Sequence, residues 1–293
     1  MTINISIPDV GQNLHPQITV LGVGGSGGNA VNNMINSNLE GVDFVIANTD
    51  AQALQNSSCK KKIQLGVQST RGLGAGMRPD IGKQAAEETL NEIGQMLDGS
   101  HMLFIAAGMG GGTGTGAAPT IARMAMEKQI LTVGIVTIPF SFEGTKRRES
   151  GLAGVERLRE FTDTLLVIPN DKLLDASTQN TSFLEAFHMV DMVLINAIRG
   201  ITLLLSGVGD INVDFADVQT IMKGMGKAVI GRGTAKGKDR AINAVEDALQ
   251  GSLMEDTDIR GAKGILVHVN GPKDISAYEI QEAMSLIEDM ADE

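Results

Sequence analysis

Residues 108–116 read GMGGGTGTG, and this stretch decides how the rest of the chain is interpreted. It follows an apolar run at residues 102–107 and precedes a helical pattern that begins near Ala117, so the predicted order is strand, glycine loop and helix. Glycine tolerates positive φ and has no Cβ to obstruct a ligand, and the free N–H groups at the start of a helix favour an anion. Thr113 and Thr115 add hydroxyl donors. These features predict a phosphate-binding loop rather than a flexible hinge.

Two further glycine-rich loops precede this one. Residues 22–28, GVGGSGG, follow a predicted strand at 18–21 and satisfy the G-x-G-x-x-G pattern of dinucleotide-binding enzymes. A second predicted strand at 43–47 is followed by Asp50, which such an enzyme would use to hold a ribose, so an NAD-dependent Rossmann enzyme is the alternative. Residues 71–76, RGLGAG, form the other loop. Three glycine loops suit a triphosphate held from several sides, whereas a Rossmann enzyme requires only the first.

The N-terminal two thirds of the chain alternate between strand and helix patterns. Strands are predicted at 131–138 and 164–168, and helices at 81–97 and 151–161. This alternation predicts an α/β fold with a doubly wound parallel sheet. Glu143 and a basic cluster follow the first of these two strands, at the edge where such sheets bind ligands.

The longest helical pattern, 182–205, is apolar on more than one face and predicts a buried helix that links two regions. Asp191 lies inside it, and a buried carboxylate without a partner is costly. A ligand that pairs with Asp191 and a carboxylate satisfied within the protein are both compatible with this position.

Asp214 and Asp217 lie at the start of another predicted helix, where composition alone favours helix capping. We predict that this helix continues over 218–230. The sequence then predicts a polar connection at 231–238, a helix at 239–249, a strand at 264–270 and a final helix at 277–290.

The composition is acidic, with 24 basic against 35 acidic residues and a net charge of −11. This balance argues against nucleic acid as a partner and against unassisted binding to anionic membranes. The single cysteine, Cys59, excludes an internal disulfide and fits a reducing compartment. No apolar run approaches about 20 residues, so we expect a cytoplasmic protein without direct membrane insertion. The spacing of the histidines predicts no metal site.

Several motifs together resemble the FtsZ family, the tubulin-like GTPases of bacterial cell division: GVGGSGGNAV, NTDAQAL, GLGAG, FIAAGMGGGTGTGAAP, FEGTKR, IPNDKLL and NVDFADV. The resemblance covers residues 17–290 in unbroken order. It implies a tubulin-like GTP-binding domain with a mostly parallel sheet at 17–181, whereas the flexible N-terminal arm at 1–16 is predicted from Pro8, Pro16 and weak periodicity. A core helix at 182–205 then leads to a smaller α+β C-terminal domain at 206–293. Family members usually continue with further strands and a partner-binding peptide, so this last domain is expected to be truncated.

The resemblance also assigns roles to individual residues. The nucleotide-binding set is Gly25, Ser26, Gly27, Gly28, Asn29, Gly74, Ala75, Gly76, Gly111, Gly112, Thr113, Gly114, Thr115, Glu143, Arg147, Asn170, Phe187 and Asp191. Within it, Glu143 and Arg147 match residues at the ribose, whereas Asn170, Phe187 and Asp191 match residues around the guanine. Asn212, Asp214 and Asp217 match catalytic residues that one subunit inserts into the next subunit's nucleotide site, and this match overrides the capping interpretation.

The function implied by the resemblance is that of a GTPase that self-assembles head to tail into a homopolymer, with GTP as substrate and Mg²⁺ at the phosphates. Such filaments form the division ring at mid-cell, with membrane-tethering and division-ring proteins as partners, although the usual partner-binding peptide is absent from this chain. A polymer subunit that binds nucleotide without hydrolysing it is the second alternative, beside the NAD-dependent enzyme.

Overall fold

The computed structural model describes residues 16–175, 181–205, 213–250 and 262–291, which form seven parallel strands, the helices between them and two helices after the last strand. The strands are β1 (Ile18–Val23), β2 (Asp43–Asn48), β3 (Lys61–Gln64), β4 (Met102–Gly108), β5 (Leu131–Ile138), β6 (Thr164–Pro169) and β7 (Gly226–Ala228). The helices are α1 (Gly24–Asn36), α2 (Ala51–Gln55), α3 (Val67–Thr70), α4 (Pro79–Glu88), α5 (Leu90–Leu97), α6 (Thr113–Glu127), α7 (Thr145–Arg159), α8 (Asn170–Asp175), α9 (Phe183–Leu205), α10 (Phe215–Met222), α11 (Arg240–Gln250) and α12 (Ala277–Met290), with a 3-10 turn at Ser141–Glu143.

The strand order is β3-β2-β1-β4-β5-β6-β7, and every adjacent pair is parallel. The chain winds outward to one side from β1 to β3, and to the other side from β4 to β7. The direction reverses between β1 and β4, and a crevice opens at the carboxyl ends of strands at such a point. The glycine loops at 22–28 and 108–116 follow these two strands, so the topology brings them together.

Helices cover both faces of the sheet, which explains why its central strands are continuous apolar runs. In β4, Met102, Phe104 and Ala106 pack in the cluster that contains buried residues of α1, α9 and α10. The residues between them pack in the cluster that contains residues of α4, α5, α6 and α7. Successive side chains of a strand point to opposite faces, so each central strand anchors both layers and holds its terminal loop in a fixed position.

Glycines allow α4 to pack closely against α6, behind the loop at 108–116. A Cβ at Gly82 would collide with the carbonyl oxygen of Gly112, and a Cβ at Gly116 would collide with that of Pro79. Any side chain at either position would therefore push the two helices apart. The helix α4 therefore packs behind the loop, which is not exposed to solvent on that side.

The helix α9 is 23 residues long and, by length and composition alone, apolar enough to cross a membrane. This corrects the expectation that no apolar segment approaches such a length. Leu194, Ile198 and Leu205 of α9 lie in the same hydrophobic cluster as Phe104 of β4. The structure therefore accounts for these side chains as part of the protein core.

Several boundaries differ from the predictions. The helices α1 and α6 begin at Gly24 and Thr113, so each glycine loop already includes the first turn of its helix. The single helix predicted at 81–97 is divided at Thr89, whose hydroxyl accepts from the Gly66 N–H and donates to the Ala85 carbonyl oxygen. The sequence analysis does not identify β3 and β7, because these strands of four and three residues at the sheet edges contain few apolar side chains.

The C-terminal predictions are partly wrong. The helix predicted to reach residue 230 ends at Met222, because Gly224 and Gly226 adopt positive φ (69° and 76°) and lead into β7. The strand predicted at 264–270 is absent, and α12 is the regular element described between 262 and 291. A strand needs a hydrogen-bonded neighbour, and none of the seven strands of the described sheet pairs with this segment. Most of the predicted N-terminal arm, and Asn212, lie outside the described residues.

Candidate nucleotide site

A cavity of about 230 Å³ lies at the carboxyl edge of the sheet, between β1 and β4. Its lining includes many of the residues predicted to bind nucleotide: Gly25, Ser26, Asn29, Gly111, Gly112, Thr113, Gly114, Glu143, Arg147, Asn170, Phe187 and Asp191. These residues come from widely separated segments, so the winding of the sheet brings them together.

The loop that follows β1 gives a ligand close access to the backbone. Gly24, with φ at 74°, turns the chain from Val23 directly into α1. Apart from its chain neighbours and the backbone of its own helix, no described residue has an atom within 4 Å of the position that a Cβ of Gly25 would occupy. A phosphate can therefore approach the first turn of α1, where free N–H groups and the helix dipole favour an anion.

The loop that follows β4 presents a second helix terminus to the same cavity. The helix α6 begins at Thr113, and in the described part of the chain a Cβ at Gly111 would meet no atom within 4 Å other than those of its chain neighbours. The hydroxyl oxygen of Thr113 lies 2.7 Å from that of Thr49. One of these hydroxyls donates to the other, which leaves the second proton for a ligand oxygen. Two helix N-termini thus converge on one cavity, which suits a polyphosphate.

Glu143 and Arg147 form an ion pair at the rim of the cavity. Arg147 Nη1 lies 3.0 Å from Glu143 Oε2, and Glu143 Oε1 accepts from the Phe140 N–H at 2.9 Å. Arg147 Nε is buried and has no hydrogen-bond partner within the described residues. A buried donor without an acceptor is costly, so a ligand oxygen at this position would satisfy it.

Asn170 and Phe187 form another part of the cavity. The side-chain oxygen Oδ1 of Asn170 is buried and lacks a hydrogen-bond donor among the residues described. The ring of Phe187 packs edge-on against Phe140 and Phe183, with centroids 5.3 Å and 4.9 Å apart. An orphaned amide acceptor beside aromatic rings suits a flat heterocycle that carries N–H donors.

Asp191 projects from α9 into the same end of the cavity. Burial raises the pKa of its carboxyl to about 6, although the charge of His188 and a hydrogen bond from Asn33 act in the opposite direction. Above that pKa the side chain is an acceptor-only group. Together with Asn170, it gives this end of the cavity hydrogen-bond acceptors for a base, while the helix termini at the other end suit phosphates.

Some predicted nucleotide-binding residues do not line the cavity: Gly27, Gly28, Gly74, Ala75, Gly76 and Thr115. A Cβ at Gly27 would collide with the Ala106 carbonyl oxygen, and Thr115 Oγ1 accepts from the Gly110 N–H at 2.8 Å. Both residues therefore shape the loops. Ala75 packs behind Gly112. Gly28 lines an adjoining cleft of about 280 Å³, which shares Gly25 and Asn29 with the cavity and extends to Ala53 of α2.

Asp214 and Asp217 lie near the amino ends of the strands, the edge of the sheet opposite the carboxyl edge that holds the cavity. Asp214 is the N-cap of α10, and its Oδ1 accepts from the Asp217 N–H at 2.8 Å, the capping that composition alone favours. The adjacent Phe215 packs edge-on against His101, just before β4, with ring centroids 6.2 Å apart. The seven residues of β4 separate this edge from the loop at 108–116, a span of about 20 Å.

The cavity also contains Thr137, Pro139 and Val190, which the sequence analysis missed, and Gly24 and Met109, which lie in the predicted glycine loops but were not named individually. The position of Thr137 and Pro139 at the carboxyl end of a predicted strand is a signal that could have identified them. Asn33, which contacts Asp191, gives no such signal, because its partner is 158 residues away in the sequence.

Asp50 does not take the role that the NAD-dependent alternative requires. Its Oδ1 caps α2 by accepting from the N–H groups of Gln52 and Ala53, at 2.9 Å and 3.2 Å, and it does not line the cavity. The strand order is shared with dinucleotide-binding domains, so the fold by itself does not separate the two functions.

Comparison with known proteins identifies the family. The sequence model of the Tubulin/FtsZ family, GTPase domain, matches residues 17–178, and that of the FtsZ family, C-terminal domain, matches residues 226–293. The cell division protein FtsZ of Wolbachia sp is 52% identical over 305 aligned residues, which cover 100% of this chain and 76% of that protein. That of Caulobacter vibrioides is 52% identical over 292 residues, which cover 100% of this chain and 57% of that protein.

A solved structure of FtsZ from M. jannaschii, an empty dimer, is also similar. It superposes with a TM-score of 0.89 at 44% identity, covering 94% of this chain and 80% of that chain. These matches favour neither the NAD-dependent enzyme nor a subunit without hydrolytic activity. The chain therefore belongs to the FtsZ family of tubulin-like cell-division GTPases.

Proposed function

We propose that the cavity between β1 and β4 binds GTP and that a second copy, stacked head to tail, completes the site for hydrolysis. The observation that carries this proposal is the placement of Asp214 and Asp217 at the opposite edge of the sheet from the phosphate loop. Across about 20 Å, these carboxylates cannot act on the nucleotide of their own subunit. A contact between unlike ends of two copies repeats into a filament, so hydrolysis is coupled to assembly.

Four large apolar side chains are exposed around the cavity at the carboxyl edge of the sheet, and we call them the apolar rim. Leu73 is 86% exposed, Met77 62%, Phe142 55% and Phe183 68%. Leu73 and Met77 flank the loop that packs behind Gly112, whereas the two phenylalanines belong to the aromatic group beside the cavity. Large exposed apolar side chains around a site mark a surface that another protein covers. We assign this rim to the contact with the neighbouring copy.

In this proposal, the second copy contributes the carboxylates of Asp214 and Asp217 to the site. One oxygen of Asp214 caps α10, and a carboxylate has further acceptor capacity. A carboxylate held close to the γ-phosphate can orient the attacking water and accept its proton, as general bases do. Asn212 and Asp217 are assigned to the same task.

Mg²⁺ is proposed at the phosphates. It prefers phosphate oxygens and water as ligands, and the hydroxyl pair of Thr49 and Thr113 offers oxygen atoms at that end of the cavity. No group of three or more carboxylate, histidine or cysteine side chains suited to a metal occurs among the described residues, so the nucleotide itself would supply most of the negative charge. When bound, the ion neutralises charge on the β- and γ-phosphates.

In the cell, we propose that the filaments act at the division site, in the cytoplasm, where the family functions. Tethering to the membrane and attachment of other division proteins are assigned to partners. Unassisted binding to anionic membrane surfaces and binding to nucleic acid are not part of the proposed function, because the net charge of −11 opposes both anionic surfaces.

The experiment that tests the shared site measures phosphate release at increasing protein concentration. We expect specific activity to stay low below a threshold concentration and to rise steeply above it, because each complete site needs two copies. Sedimentation of filaments should begin at the same threshold. Turnover per molecule that is independent of concentration would contradict the proposal.

The second test concerns the base. Guanine offers the donors N1–H and N2–H to Asp191, whereas the corresponding edge of adenine lacks this pair. Hydrogen bonds to a charged group contribute about 1.5–3 kcal/mol, so Asp191→Ala is expected to weaken GTP binding by about tenfold or more. Competition between GTP and ATP measures the selectivity, and equal competition by ATP in the wild type would exclude this assignment.

The pH dependence of the same binding has a defined sign. The ionised carboxylate accepts from both N–H donors of guanine, whereas the protonated acid carries an O–H donor of its own on one oxygen. Affinity for GTP is therefore retained above about pH 6 and falls as the pH drops through that value. The Asp191→Asn variant cannot titrate at this position and gives the baseline for protonation of the phosphates.

Without nucleotide, the raised pKa of Asp191 affects the free energy of unfolding in the opposite direction. The stabilising contribution of the protonated side chain is fully present below the unfolded-state pKa of 3.8 and is lost as the pH rises through about 6. The melting temperature of nucleotide-free Asp191→Asn should therefore exceed that of the wild type at neutral pH.

A further inference from the structure

Asn33 makes a specific contact that connects the two helices of the base site. It lies on α1, four residues after Asn29, and its Nδ2 donates to Asp191 Oδ2 on α9 at 3.0 Å. Both side chains are half-buried, and the two residues are 158 positions apart in the sequence. The helix that presents the first glycine loop to the phosphates is thus bonded to the carboxylate at the other end of the cavity.

We propose that Asn33 is a positioning residue that holds the Asp191 carboxylate in the orientation and the charge state that recognise guanine. This inference rests on the proposed assignment of Asp191 to the base.

The orientation follows from the geometry of a carboxylate. The terminal torsion of an aspartate side chain is broad and nearly two-fold, so an unrestrained carboxylate rotates between positions. The bond from Asn33 uses one lone pair of Oδ2 and leaves the second lone pair of that oxygen, and both of Oδ1, for the base. A carboxylate that is already oriented loses less entropy on binding than a free one.

The charge state follows from the surroundings of Asp191. Burial favours the neutral acid, and in the described part of the chain the groups that favour the anion are His188 on the same helix and the amide of Asn33. The facing helix α1 contains no charged residue. On the other side of the cavity, Glu143 is paired with Arg147, and Asp171 of α8 with Arg148. Asn33 is therefore the neutral donor that counteracts desolvation at this carboxylate.

The test replaces Asn33 by leucine, which has a similar volume but cannot donate. GTP affinity at neutral pH is expected to fall several-fold, because the carboxylate is no longer held in the binding orientation and a larger fraction of it is protonated. The acid midpoint of GTP binding is expected to move to higher pH, because the pKa of Asp191 rises when its donor is lost. Asn33→Asp should move that midpoint further, since two carboxylates then share the site. Isothermal titration of the full chain with GTP across a pH series measures both quantities.

Asn32→Leu is the matched control. Asn32 is the same residue type at the adjacent position of α1, but its Oδ1 accepts from Ser57 and Ser58. Losing those bonds should lower the melting temperature without moving the pH midpoint. Should Asn33→Leu not fold, Asn33→Ala removes the same donor with a smaller side chain.

The outcomes separate this inference from the function on which it rests. If Asp191→Ala loses its preference for GTP while Asn33→Leu and Asn33→Ala retain wild-type affinity and midpoint, the positioning role is wrong and the guanine assignment stands. If Asp191→Ala keeps its preference for GTP, the guanine assignment itself fails. A loss of affinity in Asn33→Leu with an unchanged pH midpoint would show a merely structural role and would also overturn the proposal.

Discussion

Replacing Asp214 by asparagine is expected to leave GTP binding intact and to slow GTP hydrolysis by about 100-fold or more, the usual contribution of a positioned acid–base group. Asparagine caps a helix about as well as aspartate, so the hydrogen bond from the Asp217 N–H that begins α10 is retained. The change removes only the negative charge that we assign to the neighbour's γ-phosphate. Equilibrium binding and phosphate release, measured on the same samples, check both halves of this expectation.

Asp214→Ala provides the comparison with the structural role of the same residue. It removes the cap as well as the charge, at a cost of about 1 kcal/mol in stability. If hydrolysis depends on the charge, both variants are slow, but only the alanine variant melts at a lower temperature. If hydrolysis is slow in the alanine variant alone, Asp214 acts as a cap and has no catalytic role.

Replacing Gly112 by valine is expected to abolish GTP binding without unfolding the sheet. A Cβ at this position would lie 2.7 Å from Ala75 Cβ and 2.9 Å from Arg78 N, so the start of α6 must shift. The shift withdraws backbone N–H groups from the phosphates. Two lost hydrogen bonds to charged oxygens cost about 3–6 kcal/mol, which corresponds to an affinity at least about 100-fold weaker. Titration with GTP and thermal unfolding measure the two properties separately.

The matched control for this substitution is Gly200→Val. Gly200 lies in α9, and a Cβ there would meet no atom of the described residues within 4 Å beyond its chain neighbours and its own helix backbone. Valine at this position should therefore leave the affinity for GTP unchanged. Wild-type affinity in Gly112→Val would remove the phosphate-loop assignment. Thr113→Val is a milder version, because it loses only a hydroxyl and its bond to Thr49.

Mixing the two variants tests the shared site directly. Asp214→Asn retains a complete nucleotide pocket, whereas Gly112→Val retains the carboxylates of the opposite edge. In mixed filaments some contacts combine the two intact halves, so phosphate release should exceed the sum of the separate variants. Filaments that contain both variants, as shown by sedimentation, yet show no recovery at any ratio would contradict a site built from two copies.

The sequence by itself determined the local chemistry of this protein. The order strand, glycine loop and helix at 108–116 predicts a phosphate site, because glycine backbone freedom and the free N–H groups of a helix start are local properties. The parallel sheet was also predictable, since strands buried on both faces become continuous apolar runs such as residues 102–107. Asp191 was also conspicuous in the sequence, because it is an acidic residue in a largely apolar helix.

The sequence was less informative where an element depends on its neighbours. The apolar run at 264–270 predicts a strand that the structure does not contain, whereas β3 and β7, short and largely polar, pair at the edges of the sheet. Propensity describes one segment, but a strand exists only when another strand supplies its hydrogen bonds.

Only the tertiary structure decided which residues share a site. It brought Gly25, Gly112, Glu143 and Asp191 to one cavity, and it placed Asp214 at the opposite edge of the sheet. It also paired Asn33 with Asp191, a contact that neither residue's sequence context indicates. The physical reason is that the winding of a parallel sheet sets the distance between residues far apart in sequence, and hydrogen bonding and burial act over a few ångströms of space.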